Sequence, residues 1–203
     1  MRGKKIIPIF VPHRGCPHDC IFCNQKAITA KQKPVSVETM RATVDTWLTT
    51  LETVPNKEIA FYGGSFTAIP MEMQKEYLKV AREYKDSGKV GKIHLSTRPD
   101  AIDEEILANL KFYGTDVIEL GVQSFYDEIL RLSGRGHDAK VVYESAELIK
   151  SYGFQLGIQL MIGLPGDSPE ACIFSAEETV KIKPDIARLY PTVVIEGTKL
   201  YDL

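Results

Sequence analysis

The sequence contains few cysteines, and no part of it resembles a membrane span or a secretory leader. Only four of its 203 residues are cysteine, which is too few for the disulfide framework of a small secreted domain. No apolar run approaches the length needed to cross a bilayer, and the basic N-terminus has neither a long apolar core nor a small-residue cleavage site. The sequence therefore predicts a cytoplasmic protein with no membrane partner.

The formal net charge is only −2, but the charge is unevenly distributed. Residues 1–33 contain seven basic residues and one acid, so this segment carries +6 and the remaining 170 residues carry −8. A basic flank can bind an anionic partner such as RNA, although scattered lysines more often form an ordinary solvated surface. The hydrophobic content of 44% and the charged content of 26% are typical of a globular domain.

Short apolar runs alternate with amphipathic stretches along the chain. The predicted strands are 6–11, 58–62, 92–95, 117–122, 154–161 and 186–190, and the predicted helices are 37–51, 71–84, 103–110, 127–132, 138–152 and 168–182. This alternation favours parallel βα units, and six units are too few for a closed eight-stranded barrel. We predict one α/β domain over residues 1–203, a partial (β/α)6 TIM-like barrel with outer helices; an open doubly wound sheet is the alternative. Truncation of a longer chain at the C-terminus would also explain the six units.

One face of the predicted sheet is polar, because polar residues alternate with apolar ones in several strands. The polar positions are Tyr62, His94, Ser96, Glu119, Gln123, Gln155, Gln159, Arg188 and Tyr190. Buried polar groups need partners, so this face predicts a lumen that binds a polar ligand. An antiparallel sheet with one wet face is the alternative, and the long helical segments between the strands argue against it.

Three of the four cysteines fall within eight residues, with the spacing C-x3-C-x2-C. They are Cys16, Cys20 and Cys23, and we expect the metal-binding loop to span 13–24. A structural zinc site takes four ligands, so three thiolates favour an iron–sulfur cluster with one iron left without a protein ligand. Zinc with His13 or His18 as the fourth ligand is the alternative. The remaining cysteine, Cys172, lies in a predicted helix, where a core position is the default expectation.

Glycine-rich segments follow two of the predicted strands and separate two of the helices. Gly63-Gly64-Ser65 ends the second strand, 161–166 ends the fifth, and 134–137 lies between helices. Glycines let the backbone approach a ligand closely, and ligands of α/β proteins bind at strand ends. A tight turn is the alternative for each glycine pair. For 134–137 the alternative is a flexible loop, although Arg135 and His137 suit a carboxylate or phosphate.

Together, these motifs resemble the radical S-adenosylmethionine (SAM) superfamily over nearly the whole chain. Its signature is the three-cysteine spacing with an aromatic residue, here Phe22, before the last cysteine, and Tyr62–Ser65 is similar to its glycine-rich motif. Three segments are similar to the branch that includes oxygen-independent coproporphyrinogen oxidase and the Elongator catalytic subunit: Glu119–Ser124, Gly134–His137 and Gly163–Pro165. Ser96–Asp100 favours the Elongator-like side of that branch.

The resemblance implies a 4Fe–4S cluster held by the three cysteines, with SAM chelated to the open iron. An electron from a reductant such as flavodoxin or ferredoxin would then cleave SAM to a 5′-deoxyadenosyl radical, which takes a hydrogen atom from substrate. The implied contacts are Gly63, Gly64 and Ser65 with the methionine amine, Phe22 and Gly163 with the adenine, Gln123 and Arg135 with the ribose and carboxylate, and Ser96 and Gln159 with ribose hydroxyls.

Two residues depart from the pattern of the branch. Ser96 stands where coproporphyrinogen oxidase and the Elongator subunit have an acid, and Gln159 stands where the porphyrin-directed enzymes have another. Both side chains can bind hydroxyls without charge, which disfavours porphyrin chemistry. The acetyltransferase domain of Elongator-like enzymes does not fit within these 203 residues.

We therefore predict a radical SAM enzyme that acts on a nucleoside in RNA, and the RNA we expect is tRNA. A radical SAM enzyme acting on a small metabolite and a non-catalytic iron–sulfur or zinc-binding module are the alternatives. The candidates for the substrate-facing catalytic residue are Tyr62, Glu119, Arg188 and Tyr190, and the sequence does not rank them.

Overall fold

The computed structural model describes residues 4–11, 18–24 and 35–203. The strands are β1 (Lys4–Val11), β2 (Asn56–Gly63), β3 (Lys92–Thr97), β4 (Val117–Gln123), β5 (Gln155–Ile162) and β6 (Ile186–Pro191). The helices are α1 (Val37–Thr50), α2 (Met71–Asp86), α3 (Glu104–Phe112), α4 (Asp127–Leu132), α5 (Ala139–Ser151) and α6 (Pro169–Ile182), with short 3-10 turns at Phe66–Ala68 and Pro99–Ala101.

All six strands run parallel in one sheet, in the order β1-β2-β3-β4-β5-β6. Each strand pairs with the next one along the chain, and every connection between them carries a helix, so the sheet curls into a half-barrel with the helices on its outside. The prediction of a partial (β/α)6 TIM-like barrel is confirmed, and the antiparallel alternative is wrong. The polar positions of the strands lie on the inner face of the half-barrel.

The helices begin where a side chain can accept the first free backbone N–H groups. Ser36, Asp103, Asp138 and Ser168 each accept a hydrogen bond from the backbone three residues later, at the start of α1, α3, α5 and α6. These caps fix where each helix leaves the sheet, and therefore how the loops that line the inner face are placed.

The hydrophobic core lies between the outer face of the sheet and the helices. Residues of one strand parity supply it, among them Phe61, Leu95, Ile118 and Ile158, which are fully buried. Because side chains alternate along a strand, the opposite parity is left to face the lumen. The apolar side chains of the strands thus pack against the helices, and the polar side chains face the lumen, where they can form a site.

Cys172 is not a core residue, which corrects the expectation from the sequence. Its side chain on α6 is partly exposed, and its thiol donates a hydrogen bond to Asp167 Oδ2 at 3.1 Å. Burial, followed by the neighbouring carboxylate, raises the pKa of this thiol. Cys172 therefore carries a protonated thiol that supports the loop after β5.

Among the described residues, no helix is both long enough and apolar enough to cross a lipid bilayer.

Candidate active site

A cavity opens at the carboxyl ends of the strands, above the lumen of the half-barrel. Its empty space is about 640 Å³ including the open mouth, which lies within the range of small-molecule sites, about 300–1,000 Å³. The lining includes every predicted cofactor-binding residue except Gly163, together with two of the predicted cluster ligands: Phe22, Gly63, Gly64, Ser65, Ser96, Gln123, Arg135, Gln159, Cys20 and Cys23. Residues that the motifs predicted to bind the cofactors, and that are far apart in sequence, therefore line the same cavity.

The cysteine loop forms one wall of this cavity. Cys20 and Cys23 are held in a tight turn, because the Cys23 backbone N–H donates to the Cys20 carbonyl at 2.9 Å. Cys16 and His13 lie outside the described residues, and within the described part of the chain no three His, Cys, Asp or Glu side chains are grouped as a metal site. Two thiols facing a polar cavity are the part of the predicted ligand set that the structure describes.

The loop that follows α4 packs against the cysteine loop. The Ile21 N–H donates to the Ser133 carbonyl at 3.1 Å, and Gly134 adopts a φ of +67° next to the cysteine-loop backbone. A Cβ at Gly136 would lie only 1.9 Å from the His18 ring. Glycines here allow close packing of two backbones, so this segment is a packed support rather than the flexible loop of the alternative interpretation.

The last residues of the chain hold the cysteine loop from another side. The Leu200 N–H donates to the Ile21 carbonyl at 2.9 Å, and the Asn24 side-chain amide donates to the Gly197 carbonyl at 3.0 Å. Sequence patterns gave no sign of this contact. The loop that carries the predicted cluster ligands is thus fixed by segments from the middle and the end of the chain.

The turn at the end of β2 brings its backbone to the cavity. Gly63 has a φ of +101°, and a Cβ there would lie 2.8 Å from the Val11 carbonyl oxygen. The Gly64 N–H donates to that same oxygen at 3.1 Å. The neighbouring strand therefore requires the glycine, in agreement with the tight-turn explanation. Close approach of this backbone to a ligand stays a prediction.

Arg135 and the end of β4 form another part of the cavity wall. The Arg135 guanidinium donates to the Gly121 carbonyl, and its Nη1 lies 3.6 Å from Cys20 Sγ. Its buried Nε has no hydrogen-bond partner in the described protein. Gln123 has a φ of +73° at a shift in the β4–β5 register, and a Cβ at Gly121 would lie 3.0 Å from its amide nitrogen. Arg135 and Gln123 therefore bring polar side chains to this wall.

A network of charged side chains fills the lumen beneath the cavity. Glu119 on β4 is fully buried and accepts hydrogen bonds from Arg188 Nε at 2.5 Å and from Gln159 Nε2 at 3.1 Å. His94 on β3 lies between two carboxylates, with Nε2 at 3.2 Å from Glu119 and Nδ1 at 3.7 Å from Glu58. These His94 contacts are ion pairs without good hydrogen-bond alignment. The polar face predicted from strand alternation is confirmed as this network.

The network perturbs the protonation of its members. Burial disfavours the charged carboxylate of Glu119, but His94 and Arg188 outweigh it and hold its pKa below the ordinary value. Burial also disfavours charge on His94, yet the carboxylates of Glu119 and Glu58 raise its pKa. Burial and then Glu119 raise the pKa of Tyr62 to about 12. Glu119 is therefore ionised, His94 favours the protonated form, and the Tyr62 phenol keeps its proton.

Three of the four candidate catalytic residues come together in the lumen. Arg188 Nη2 lies 3.5 Å from the Tyr62 hydroxyl, and Glu119 joins them through Arg188. Tyr190 is more exposed and influences Tyr62 and Arg188 only through electrostatics. These four lie below the cavity rather than in its lining, and Gln159 connects the two regions.

A second charged group at the cavity was not predicted. Arg98 is buried and holds Asp100 with two hydrogen bonds, 2.9 and 2.6 Å long, while His18 Nε2 lies 3.2 Å from Asp100 Oδ2. Burial favours the neutral acid, but Arg98 and then His18 keep the pKa of Asp100 below its usual value. Thr97 and Arg98 line the cavity. The family-like motif Ser96–Asp100 was the available signal, since Arg98 and Asp100 are part of it.

Gly163 is exposed at the end of β5 and does not line the cavity. Its N–H donates to Asp167 Oδ2 at 2.8 Å, the same oxygen that accepts the Cys172 thiol hydrogen bond. A contact between Gly163 and the adenine remains a prediction.

Comparisons with known proteins identify relatives of this chain. The chain is 29% identical to the tRNA uridine(34) acetyltransferase of Methanocaldococcus infernus, over 99% of this chain and 45% of that protein. It is 30% identical to human Elongator complex protein 3, over 95% of this chain and 43% of that protein. The chain thus spans less than half the length of these curated relatives.

Solved structures of proteins from the same branch superpose on this chain. An N-terminally shortened archaeal Elp3 of Methanocaldococcus infernus superposes with a TM-score of 0.76 at 26% identity, covering 98% of this chain and 48% of that one. The Escherichia coli coproporphyrinogen III oxidase HemN superposes with a TM-score of 0.67 at 19% identity, covering 95% and 45%, and so supports the fold alone. The branch predicted from the motifs is confirmed.

The family model described as the Radical SAM superfamily matches residues 10–177, a range that contains the three cysteines, the glycine turn after β2 and all the strands from β2 to β5. The chain belongs to the Radical SAM superfamily.

Proposed function

We propose that this chain is a radical SAM enzyme unit that binds a 4Fe–4S cluster and SAM and acts on a nucleoside in tRNA. The observation that carries the proposal is the cavity in which Cys20 and Cys23 face the Gly63–Ser65 turn. Thiolates on one wall and backbone polar groups on the other are what a cluster-bound amino acid requires. The family to which the chain belongs implies the same two cofactors.

Cys16, Cys20 and Cys23 would hold the cluster, which with bound SAM supplies a 5′-deoxyadenosyl radical for hydrogen abstraction. The described wall fits an anionic cluster, because Arg135 places a guanidinium 3.6 Å from Cys20 Sγ and opposite charges attract at this range. Cys20 is also buried, which limits access of water to the ligand sulfur.

The remaining lining residues would orient SAM. The turn at Gly63, Gly64 and Ser65 would present backbone groups to the methionine amine, and the Arg135 guanidinium would donate to the carboxylate of SAM. Phe22 offers an apolar face to the adenine. Gln123, Ser96 and Gln159 would bind the ribose hydroxyls, as neutral groups that can both donate and accept.

The lumen side chains Tyr62, Arg188 and Tyr190 would face the substrate. The Arg188 guanidinium is ionised and about one-third exposed, with its side chain held by Glu119. A substrate that enters the lumen would meet this cation and the protonated phenol of Tyr62. Their part in the reaction is to bind and position the atom that loses hydrogen.

The proposed substrate, a tRNA nucleoside, rests on the names of the relatives and on the charge of the N-terminal segment. One relative is a tRNA uridine(34) acetyltransferase, and residues 1–33 carry +6. Reduction would come from a partner such as flavodoxin or ferredoxin in the cytoplasm. Because the chain spans less than half of these relatives, their acetyl transfer is not part of the proposal.

The first test is the cleavage of SAM under strict anaerobiosis. The protein is reconstituted with iron and sulfide, reduced with dithionite and given SAM, and 5′-deoxyadenosine is measured with and without tRNA. Its formation, stimulated by tRNA, is the expected result. Stimulation by small metabolites instead would favour the small-metabolite alternative, and a protein that binds zinc with no iron would contradict the proposal.

A second test concerns the RNA partner. Binding of tRNA should weaken with added salt, because basic residues release counterions from phosphates. Neutralising Lys4, Lys5 and Lys26 should reduce that salt dependence. Binding that is indifferent to salt would contradict an electrostatic RNA contact.

A further inference from the structure

Glu119 is completely buried, so it cannot be the group that touches substrate, yet it contacts two residues that reach open space. Its Oε1 accepts from Arg188, and its Oε2 accepts from Gln159. An ionised carboxylate can only accept hydrogen bonds. The ionised state follows from geometry, because the Arg188 guanidinium donates to the carboxylate and His94 Nε2 lies 3.2 Å from it.

The geometry points to Glu119 as a positioning residue that sets the orientation of the Gln159 amide. This inference rests on the proposed function, because it concerns how the cavity recognises SAM. The nitrogen and oxygen of a glutamine amide have nearly the same shape, so only the partners decide which atom faces which way. Because Glu119 offers only acceptors, the Gln159 nitrogen must face it.

Both amide hydrogens of Gln159 are then used within the sheet. Nε2 donates to Glu119 at 3.1 Å and to Ser96 Oγ at 3.4 Å. The carbonyl oxygen is the polar atom that Gln159 can present to the cavity that it lines. Gln159 is therefore an acceptor that selects a ligand hydroxyl, and Ser96 has its oxygen engaged by the same amide.

Gly157 makes this arrangement possible. It lies opposite Glu119 in the β4–β5 register, and a Cβ there would lie 2.3 Å from Glu119 Cγ. The missing side chain lets Glu119 extend across β5 to reach both Gln159 and Arg188, which is on β6. The Glu119 carboxylate on β4 thus accepts hydrogen bonds from side chains on both β5 and β6.

The test compares how strongly the cluster-loaded protein prefers SAM to SAM analogues that lack the 2′- or the 3′-hydroxyl, by anaerobic equilibrium dialysis. The wild type should bind SAM about tenfold more tightly than at least one analogue, as expected for one lost hydrogen bond. Glu119→Gln frees the Gln159 amide to turn and should lower this preference to about twofold. Gln159→Leu should lower it equally, and the double variant should show no further loss.

Glu178→Gln is the matched control, because Glu178 is also a largely buried carboxylate with two partners, Tyr143 and Lys181, but lies outside the cavity. It should keep the wild-type preference. Losses that add in the double variant, or a Glu119→Gln protein with full preference, would overturn the inference. A wild type that loads its cluster but binds neither SAM nor the analogues would instead contradict the proposed function, and with it this inference.

A second measurement needs neither cofactor nor substrate. In NMR spectra of the cofactor-free wild type, the Gln159 side-chain amide protons should exchange slowly with water, because both donate within the sheet. The signals, assigned by their loss in Gln159→Leu, should shift and exchange faster in Glu119→Gln. Fast exchange in the wild type would overturn the inference even if the Glu119 variant failed to fold.

Discussion

His94 lies in a buried position between two carboxylates, and this makes folding stability depend on pH. The raised pKa of His94 means that the folded state binds its proton more tightly than the unfolded state does. The stabilisation is complete below the unfolded pKa, about 6.5, and is lost as pH rises through the higher folded pKa. His137 has the opposite tendency, since burial and then Arg135 lower its pKa to about 4.

We therefore predict that His94→Gln lowers the free energy of unfolding by about 3 kcal/mol below pH 6.5, the cost of removing one partner from a buried ion pair. The difference from wild type should shrink as pH rises. Urea unfolding at a series of pH values measures this difference in the free energy of unfolding. Titration of His137 affects the stability of both proteins equally, so it cancels from the difference. A difference that grows with pH would show that His94 is neutral in the folded state.

Three of the four cysteines are the predicted cluster ligands, and the surroundings of the fourth, Cys172, set it apart from them. Cys16→Ala, Cys20→Ala and Cys23→Ala should each abolish the cluster, because three thiolates are needed to hold it. Cys172→Ala should keep it, because that thiol is bonded to Asp167 and its pKa is raised. Iron and sulfide content, absorbance and EPR measure the outcome. Loss of the cluster in the Cys172 variant alone would contradict the ligand assignment.

At the scale of the elements, β4 and β5 are joined by a side chain that crosses between them. Gly157→Ala should destabilise the protein by about 1–3 kcal/mol, the usual cost of forcing an extra carbon into packed space, because its Cβ would meet Glu119 Cγ at 2.3 Å. Gly91→Ala is the control: the nearest atom to a Cβ there is 3.8 Å away, and its φ is ordinary. Thermal or urea unfolding compares the two, and equal stability would show that Glu119 moves aside freely.

Strand and helix order, and the polar face of the sheet, could be predicted from sequence because both depend on local alternation. Gln159 and Ser96, for example, were placed at the site by parity and motif. The partners of Glu119 could not be predicted, because they depend on the register of β4, β5 and β6 and on the space left by Gly157. The same applies to Cys172, whose exposure depends on which turn of α6 faces the loop after β5.

On the scale of the whole molecule, the cysteine loop is held by residues from the far end of the chain. The main hydrophobic core, as far as the structure describes it, extends no further than Ile182. Removing 195–203 should therefore leave the half-barrel folded while it frees Ile21 and Asn24 from Leu200 and Gly197. These contacts hold the cysteine loop in place but do not contribute to the packing of the hydrophobic core.

We expect this truncated protein to retain its circular dichroism spectrum but to lose its iron several-fold faster than the full chain. Hydrogen–deuterium exchange should also accelerate in 18–24. Deleting only 202–203, which leaves the Leu200 and Gly197 contacts in place, is the control. Iron retention equal to that of the full chain would mean that the loop after α4 alone supports the cysteines.

The contact between Ile21 and Leu200 also bears on the order in which parts of the structure form during folding. The two residues are far apart in sequence, whereas each strand of the half-barrel pairs with the next strand along the chain. Contacts between neighbouring elements form faster than contacts that close a long loop. We therefore expect the half-barrel to form first and the cysteine loop to gain its support from Gly197 and Leu200 afterwards.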